Sequence, residues 1–204
     1  MHKKGVNMQL IYAPMGSYQT NCYILKGDEG EIIIDPGVGA DEWVKTQVQN
    51  PLAILNTHGH FDHVWSNHAL QSYYKIPLYC PSEDVFMLES DTFGLGLTPS
   101  VPDVKVNKDE EFEIGSTKVL YRHFPGHTPG CSAIEIDGKL FSGDFIFAGS
   151  IGRTDLPFSS PSDMKKSILK FLEIKKDLPL YPGHGSSSTI KKEQSTLPRW
   201  LEMF

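Results

Sequence analysis

Cysteine is scarce. Cys22, Cys80 and Cys131 are the three in 204 residues, widely spaced and at no zinc-knuckle interval. A disulfide framework and a cysteine-built zinc fold are therefore excluded, and a reducing compartment is the simpler setting. Long apolar runs are missing as well. No stretch approaches the roughly 20 apolar residues that span a bilayer, and Asn7 and Gln9 interrupt the opening MHKKGVNMQLIYAPMG before a secretory core can form. Nor is there an excess of positive charge: 19 Lys and Arg face 25 Asp and Glu, a formal net charge of -6, which argues against a broad nucleic-acid-binding surface. Repeats of solenoid length and long Pro-, Gly- or Ser-rich linkers are absent too. With 39% of residues apolar and 22% charged, the expectation is a cytoplasmic globule with no membrane segment. It forms one domain over residues 1–204, long enough to bury roughly 70% of its extended-chain surface.

The chain alternates strand-like and helix-like segments. NCYILKGDEGEIIIDPG holds two β-branched runs around a GDEG turn and predicts a hairpin. Trp43, Val44 and Val48 fit one face of a short helix, and PLAILNTHGH reads as a buried strand running into a polar loop. Helical spacing is expected from Val64 to Tyr74, with Pro77 beyond the stop. Strands are expected near Leu78–Cys80, Val104–Val106, Phe112–Ile114, Thr117–His123, Cys131–Ile136 and Lys139–Phe141. SPSDMKKSILKFLEI carries helix-start signals, with Met164, Ile168, Phe171 and Leu172 on one face. GLGLTPSVPD, residues 94–103, reads as a surface connector. Sheet-rich α/β architecture follows.

Chemistry concentrates in four segments. THGHFDH carries His58, His60, Asp62 and His63, while FPGHTPG and YPGHGSS place His127 and His184 in Gly/Pro-rich loops, and LFSGDFIF ends a strand-like run at Asp144. Imidazole nitrogens and carboxylate oxygens are ligands for divalent ions. Any one of these residues alone would read as a turn or packing residue. Together, five His and two Asp are enough for two ions sharing one carboxylate, with room left for water or substrate. His68 reads as a cap or packing residue on its helix, His123 as a support for the FPGH loop, and DEEFE as a solvated turn. Tyr18, Phe147, Ile151 and Phe158 either line an apolar part of the pocket or pack beneath its loops.

From Asn21 to His184, through THGHFDH, GHTPG, SGDFIFAGSIGRTD and PGHG, the chain resembles the metallo-β-lactamase superfamily, and within it the small glyoxalase-II-like hydrolases. The resemblance implies a four-layer αββα sandwich with metals at one sheet edge. It also implies that His58, His60 and His127 bind a first metal, that Asp62, His63 and His184 bind a second, and that Asp144 bridges them. The metals are expected to be zinc, with iron as the rival at one or both sites. A principal class of β-lactamases has Cys at the bridge region where this chain has Asp144, which disfavours antibiotic hydrolysis. Flavodiiron relatives carry Glu where His60 stands.

The implied reaction is hydrolysis of S-2-hydroxyacyl-glutathione, such as S-D-lactoylglutathione, by a metal-bridged hydroxide that Asp62 orients. A thiol of reference pKa near 8.5 leaves without a dedicated acid. The partner is thus a small thioester, the protein a monomer or homodimer, and no nucleic acid is expected. With 20 residues after His184, the glutathione grip that larger relatives draw from a C-terminal helical extension is expected to be largely absent. Arg153 and Asp155 also stand where those relatives use Lys and Tyr. Arg153 either binds a substrate carboxylate or ties down its own loop through Asp155 or backbone carbonyls. Three alternatives stay open: an iron-dependent persulfide dioxygenase, which the GRTD segment also resembles; a dimetal phosphodiesterase or ribonuclease; and a non-enzymatic metal-binding protein.

Overall fold

A computed structural model describes residues 8–204. The start of the chain, MHKKGVN, on which the absence of a secretory core was partly argued, lies outside the described residues. The first sheet contains β1 (Gln9–Met15), β2 (Thr20–Lys26), β3 (Glu31–Ile34), β4 (Pro51–Leu55), β5 (Leu78–Pro81) and β6 (Val104–Val106), in that spatial order. The second contains β7 (Glu110–Ile114), β8 (Thr117–His123), β9 (Ser132–Ile136), β10 (Lys139–Gly143), β13 (Pro179–Pro182) and β14 (Ser188–Thr189), the last two paired beyond β10. A ribbon of β11 (Ile146–Phe147) and β12 (Ser150–Ile151) stands apart. Helices α1 (Ala40–Gln47), α2 (Phe61–Val64), α3 (Asn67–Tyr74) and α4 (Val85–Glu89) interrupt the first sheet. Helices α5 (Pro161–Leu172), α6 (Ile190–Thr196) and α7 (Pro198–Leu201) belong to the second.

The side-chain alternation of the strands builds the layers. Tyr23, Leu25, Ile32, Ile34, Ala53 and Leu55 meet Val119, Tyr121, Ile134, Ile136 and Phe141 in one cluster between the sheets. The opposite faces of the same strands, through Cys22, Ile24, Ile33 and Ile54, pack under Val44 of α1, Leu70 of α3 and Met87 and Leu88 of α4. Across the molecule, Ala133 and Leu140 pack under Met164, Ile168 and Phe171 of α5 and Ile190 of α6. Both sheets are therefore covered on both faces, which is why strands such as β2 read as continuous apolar runs. This is the expected helix–sheet–sheet–helix sandwich.

Several elements depart from expectation. The helix expected over Val64–Tyr74 is two helices, α2 and α3, broken at Trp65–Ser66. Ser66 donates its N–H to Pro36 O (2.9 Å) and its hydroxyl to Gly37 O (2.7 Å), so the loop after β3 claims the groups at the break. Strand β1 and helices α4, α6 and α7 come in addition to the expected elements. The connector at 94–103 has no regular structure, yet Leu97 and Ser100 are buried, and Ser100 N–H bonds Leu88 O (2.9 Å). No helix among the described residues is long and apolar enough to cross a membrane.

Candidate metal centre

The seven candidate donors converge where strand ends of both sheets meet, the usual place for a site in an α/β structure. His58 and His60 lie in the loop after β4, Asp62 and His63 in the single turn of α2, His127 beyond β8, Asp144 directly after β10, and His184 after β13. The PGHG loop is drawn onto the first sheet. Asn21 donates its backbone N–H to Gly183 O (2.7 Å) and its side-chain amide to Pro182 O and Gly185 O (3.0 Å each), while the Tyr23 hydroxyl donates to Pro182 O (2.7 Å).

Four of the histidines have the ring nitrogen that points away from the centre fixed by a neighbour. His63 Nδ1–H donates to Asp35 Oδ2 (3.0 Å), His127 Nδ1–H to Arg153 O (2.9 Å) and His184 Nδ1–H to Tyr18 O (3.0 Å). The Thr57 hydroxyl donates to Asp35 Oδ2 (2.6 Å) and is left to accept from His58 Nδ1–H (3.1 Å). These bonds turn the Nε2 atoms inward, and metal-binding histidines are oriented in this way. Inside, His60 Nδ1 and His127 Nε2 are 2.9 Å apart. His63 Nε2 lies 3.3 Å from Asp144 Oδ1, while His127 and His184 Nε2 lie 3.5 and 3.4 Å from Asp144 Oδ2. Asp62 Oδ2, held by the Thr20 hydroxyl (2.7 Å), is 3.5 Å from His63 Nε2 and 3.4 Å from His184 Nε2.

Two donor groups result: His58, His60 and His127, and Asp62, His63 and His184, each with ligand atoms within 4.8 Å of one another. Asp144 faces members of both. Asp35, His58 and His63 satisfy the same distance criterion, but Asp35 already accepts from Thr57 N–H (2.8 Å), the Thr57 hydroxyl and His63. Its role is to orient them. His58 Nε2, His63 Nε2 and Asp144 Oδ1 are buried and lack any hydrogen-bond partner. Buried donors left so are costly unless something binds them, and divalent cations fit this set.

Charge leads to the same conclusion. Burial, followed by its histidine neighbours, pushes His58 well below the usual imidazole range, and burial with His127 beside it takes His60 down to about 3. Both are neutral ligands at neutral pH. Burial opposes charge on His63 and His184 as well, but Asp144 and Asp62 overcome it, holding His63 well above the usual range and His184 at about 9. The same pairs keep Asp62 at about 2 and Asp144 well below the carboxylate range, against the effect of burial. The carboxylates thus demand positive charge, which protons supply or a divalent cation supplies in their place.

Arg153 sits beside the cluster through its backbone carbonyl on His127, while its guanidinium makes a two-pronged pair with Asp155 (2.9 and 2.8 Å). This is the loop-tying arrangement foreseen as one of its two roles. His68, at the start of α3, is on the surface and bonds Pro99 O through Nδ1 (3.0 Å). His123 Nε2 meets Pro129 O (2.9 Å) beside the His127 loop.

Three supporting residues escaped sequence reasoning: Asp35, Thr20 and Asp84. Asp84 is fully buried and accepts from Gly59 N–H (2.9 Å), the Thr128 hydroxyl and Gly130 N–H (both 2.6 Å). It ties the loop of His58 and His60 to that of His127. Burial, outweighing those bonds, lifts its carboxyl to about 6. Asp84→Ala strands three buried donors and should cost about 3 kcal/mol. The metal-free protein should then melt about 6 to 12 °C lower, at roughly 2–4 °C per kcal/mol for a chain of this size. A thermal melt within about 2 °C of wild type would show that the loops are joined by other means.

The chain is similar to known proteins. The family model described as the metallo-beta-lactamase superfamily matches residues 15–184. A protein named hydroxyacylglutathione hydrolase GloC, from Haemophilus influenzae, is 34% identical over 208 residues, covering 95% of this chain and 97% of its own. Among solved structures, BLEG-1 B3 metallo-beta-lactamase superposes with a TM-score of 0.83 at 33% identity, covering 95% of this chain and 99% of that one. TTHA1623 in a di-iron-bound form gives a TM-score of 0.79 at 31% identity, covering 91% and 98%.

Proposed function

Because the chain belongs to the metallo-beta-lactamase superfamily, whose members are mostly metal-dependent hydrolases, we propose that it hydrolyses thioesters of the S-2-hydroxyacyl-glutathione type, such as S-D-lactoylglutathione. The observation that carries this reading is the cage of seven donors in which His58 Nε2, His63 Nε2 and Asp144 Oδ1 are buried without hydrogen-bond partners. His58, His60 and His127 would hold one divalent ion and Asp62, His63 and His184 a second, with Asp144 between them. Bound there, such ions polarise a carbonyl and lower the pKa of water.

The chain's own groups set the rest. Asp62, ionised and pinned by the Thr20 hydroxyl, has a fixed acceptor oxygen with which to orient an attacking water. Asp35, Arg153 O and Tyr18 O keep three of the imidazoles aimed inward, so that little reorganisation accompanies reaction. A thiolate leaving group needs no separate acid. Imidazole and carboxylate donors suit zinc and iron alike. Zinc is the metal proposed, and the di-iron form of TTHA1623 makes iron its rival.

A second reading, β-lactam ring opening, is favoured by the likeness to BLEG-1 and runs against the expectation drawn from Asp144. One experiment separates the two: thiol release from S-D-lactoylglutathione and ring opening of a β-lactam, each with metal content measured on the same preparation and with metal-free protein as control. Metal-dependent thiol release is the expected result. A filled site that releases no thiol overturns the thioesterase reading, and ring opening in its place establishes the second.

A further inference from the structure

We propose that a rim of aromatic side chains beside the first donor group is a binding subsite for a planar, apolar substituent of the substrate. The proposal rests on the hydrolytic reading of the centre and specifies which esters that centre prefers. The rim begins at a metal-donor residue. The ring of His60 lies 5.8 Å from Phe93, which lies 6.5 Å from Phe158, itself 5.0 Å from Phe86. On the other flank Phe61 is 6.4 Å from Phe93 and 5.0 Å from Tyr18. All five contacts are edge-to-face. Edge-to-face packing is the arrangement aromatic rings prefer, and a substrate ring would meet these side chains in the same way.

Three features separate this rim from ordinary surface. Tyr18 and Phe158 are more than half exposed, at 55% and 51%. Scattered apolar residues on a surface mean little, but a contiguous set running into a buried polar cluster marks a ligand site. Phe158 also holds a backbone φ of +67°, a region bulky residues avoid and keep mainly where function requires it. Its ring is half exposed while it contacts Phe86 and Phe93. Finally, Arg153, whose carbonyl accepts from His127 at the centre, has its guanidinium paired with both carboxylate oxygens of Asp155. The rim therefore offers ring edges and faces.

The apolar group could belong to either half of a thioester, and matched pairs tell which. One pair keeps the thiol constant and compares 3-phenylpropanoyl with butanoyl. The other keeps the acyl group constant and compares 2-phenylethanethiol with butanethiol. With the metal-loaded wild-type protein, the phenyl member of at least one pair should be preferred in kcat/KM by about tenfold to a hundredfold, mainly through KM, the scale of one well-seated apolar group. Phe158→Ser should bring that ratio to within about threefold. A readout without turnover accompanies it: in saturation-transfer NMR, the ring protons of 3-phenylpropanoate should receive magnetisation from wild-type protein and much less from Phe158→Ser. If neither pair is turned over, the NMR comparison alone decides the rim, and S-D-lactoylglutathione, assayed on the same preparation, shows separately whether the thioesterase reading has failed. If thioesters are turned over with ratios near one in both pairs, the subsite is overturned whatever the NMR result.

Discussion

Replacing Asp144 by Ala is expected to leave the protein folded but unable to hold a pair of metal ions, with turnover falling by at least roughly 10³-fold. The scale is that of losing one fixed electrostatic group at a reacting centre, about 10² to 10³, compounded by the loss of ion positioning. Asp144 is the group that faces both donor clusters, with its oxygens 3.3 to 3.5 Å from His63, His127 and His184. Burial opposes its charge, and His63 and His184 restore it. Taking the carboxylate away removes the counter-charge that favours cations in the cage, while the clusters of the three core layers stay as they are. Elemental analysis after metal loading, with far-UV circular dichroism to confirm the fold, checks this. Two ions retained per chain would show that Asp144 does not join the two groups.

Gly183→Ala should also damage the centre, by less than Asp144→Ala and without replacing a donor. A Cβ at Gly183 would collide with Asp144 Oδ1 and stand 2.6 Å from His63 Cε1. The backbone cannot retreat, because Gly183 N–H donates to Gly143 O (2.9 Å) while Gly183 O accepts from Asn21 (2.7 Å). Overpacking of this kind costs about 1–3 kcal/mol, and a displaced support of a ligand typically costs 10–100-fold in metal affinity or activity, roughly. Gly185→Ala is the control. Gly185 has a φ of +75° with nothing within 4 Å of its missing Cβ, so that change strains the backbone by about 1–2 kcal/mol without entering the cage. Metal titration should separate the two variants, and equal affinities would mean that the close approach at Gly183 is not needed.

The candidate donors were legible because each sits in a short local pattern: a strand ending in a His-rich turn, a His inside Gly and Pro, or, for Asp144, an acid closing an apolar run. Their supports were not. Asp84 serves Gly59, Thr128 and Gly130, residues 25 to 46 positions away, largely through backbone N–H groups that any residue type carries. Asp35 was visible only as the end of the IIID run, and its worth depends on Thr57 and His63, across the parallel pairing of β3 and β4. The same limit applies to the elements. The buried strands were evident from β-branched runs, whereas β1 is an edge strand with only Met15 buried, and α6 buries little beyond Ile190 and Glu193. Neither has an apolar pattern strong enough to read. The break between α2 and α3 likewise depends on carbonyls delivered from the loop after β3.

The division of the donors between the two sheets has one more consequence. Residues before position 107 supply His58, His60, Asp62 and His63, and residues after it supply His127, Asp144 and His184. Neither half holds a complete set, since each three-donor group takes its third member from the other. An ion seated in either group would act as a cross-link closing a loop of some seventy to more than a hundred residues, in a chain whose three cysteines are all unpaired. Metal affinity in this molecule is therefore also a measure of how firmly its two halves are joined.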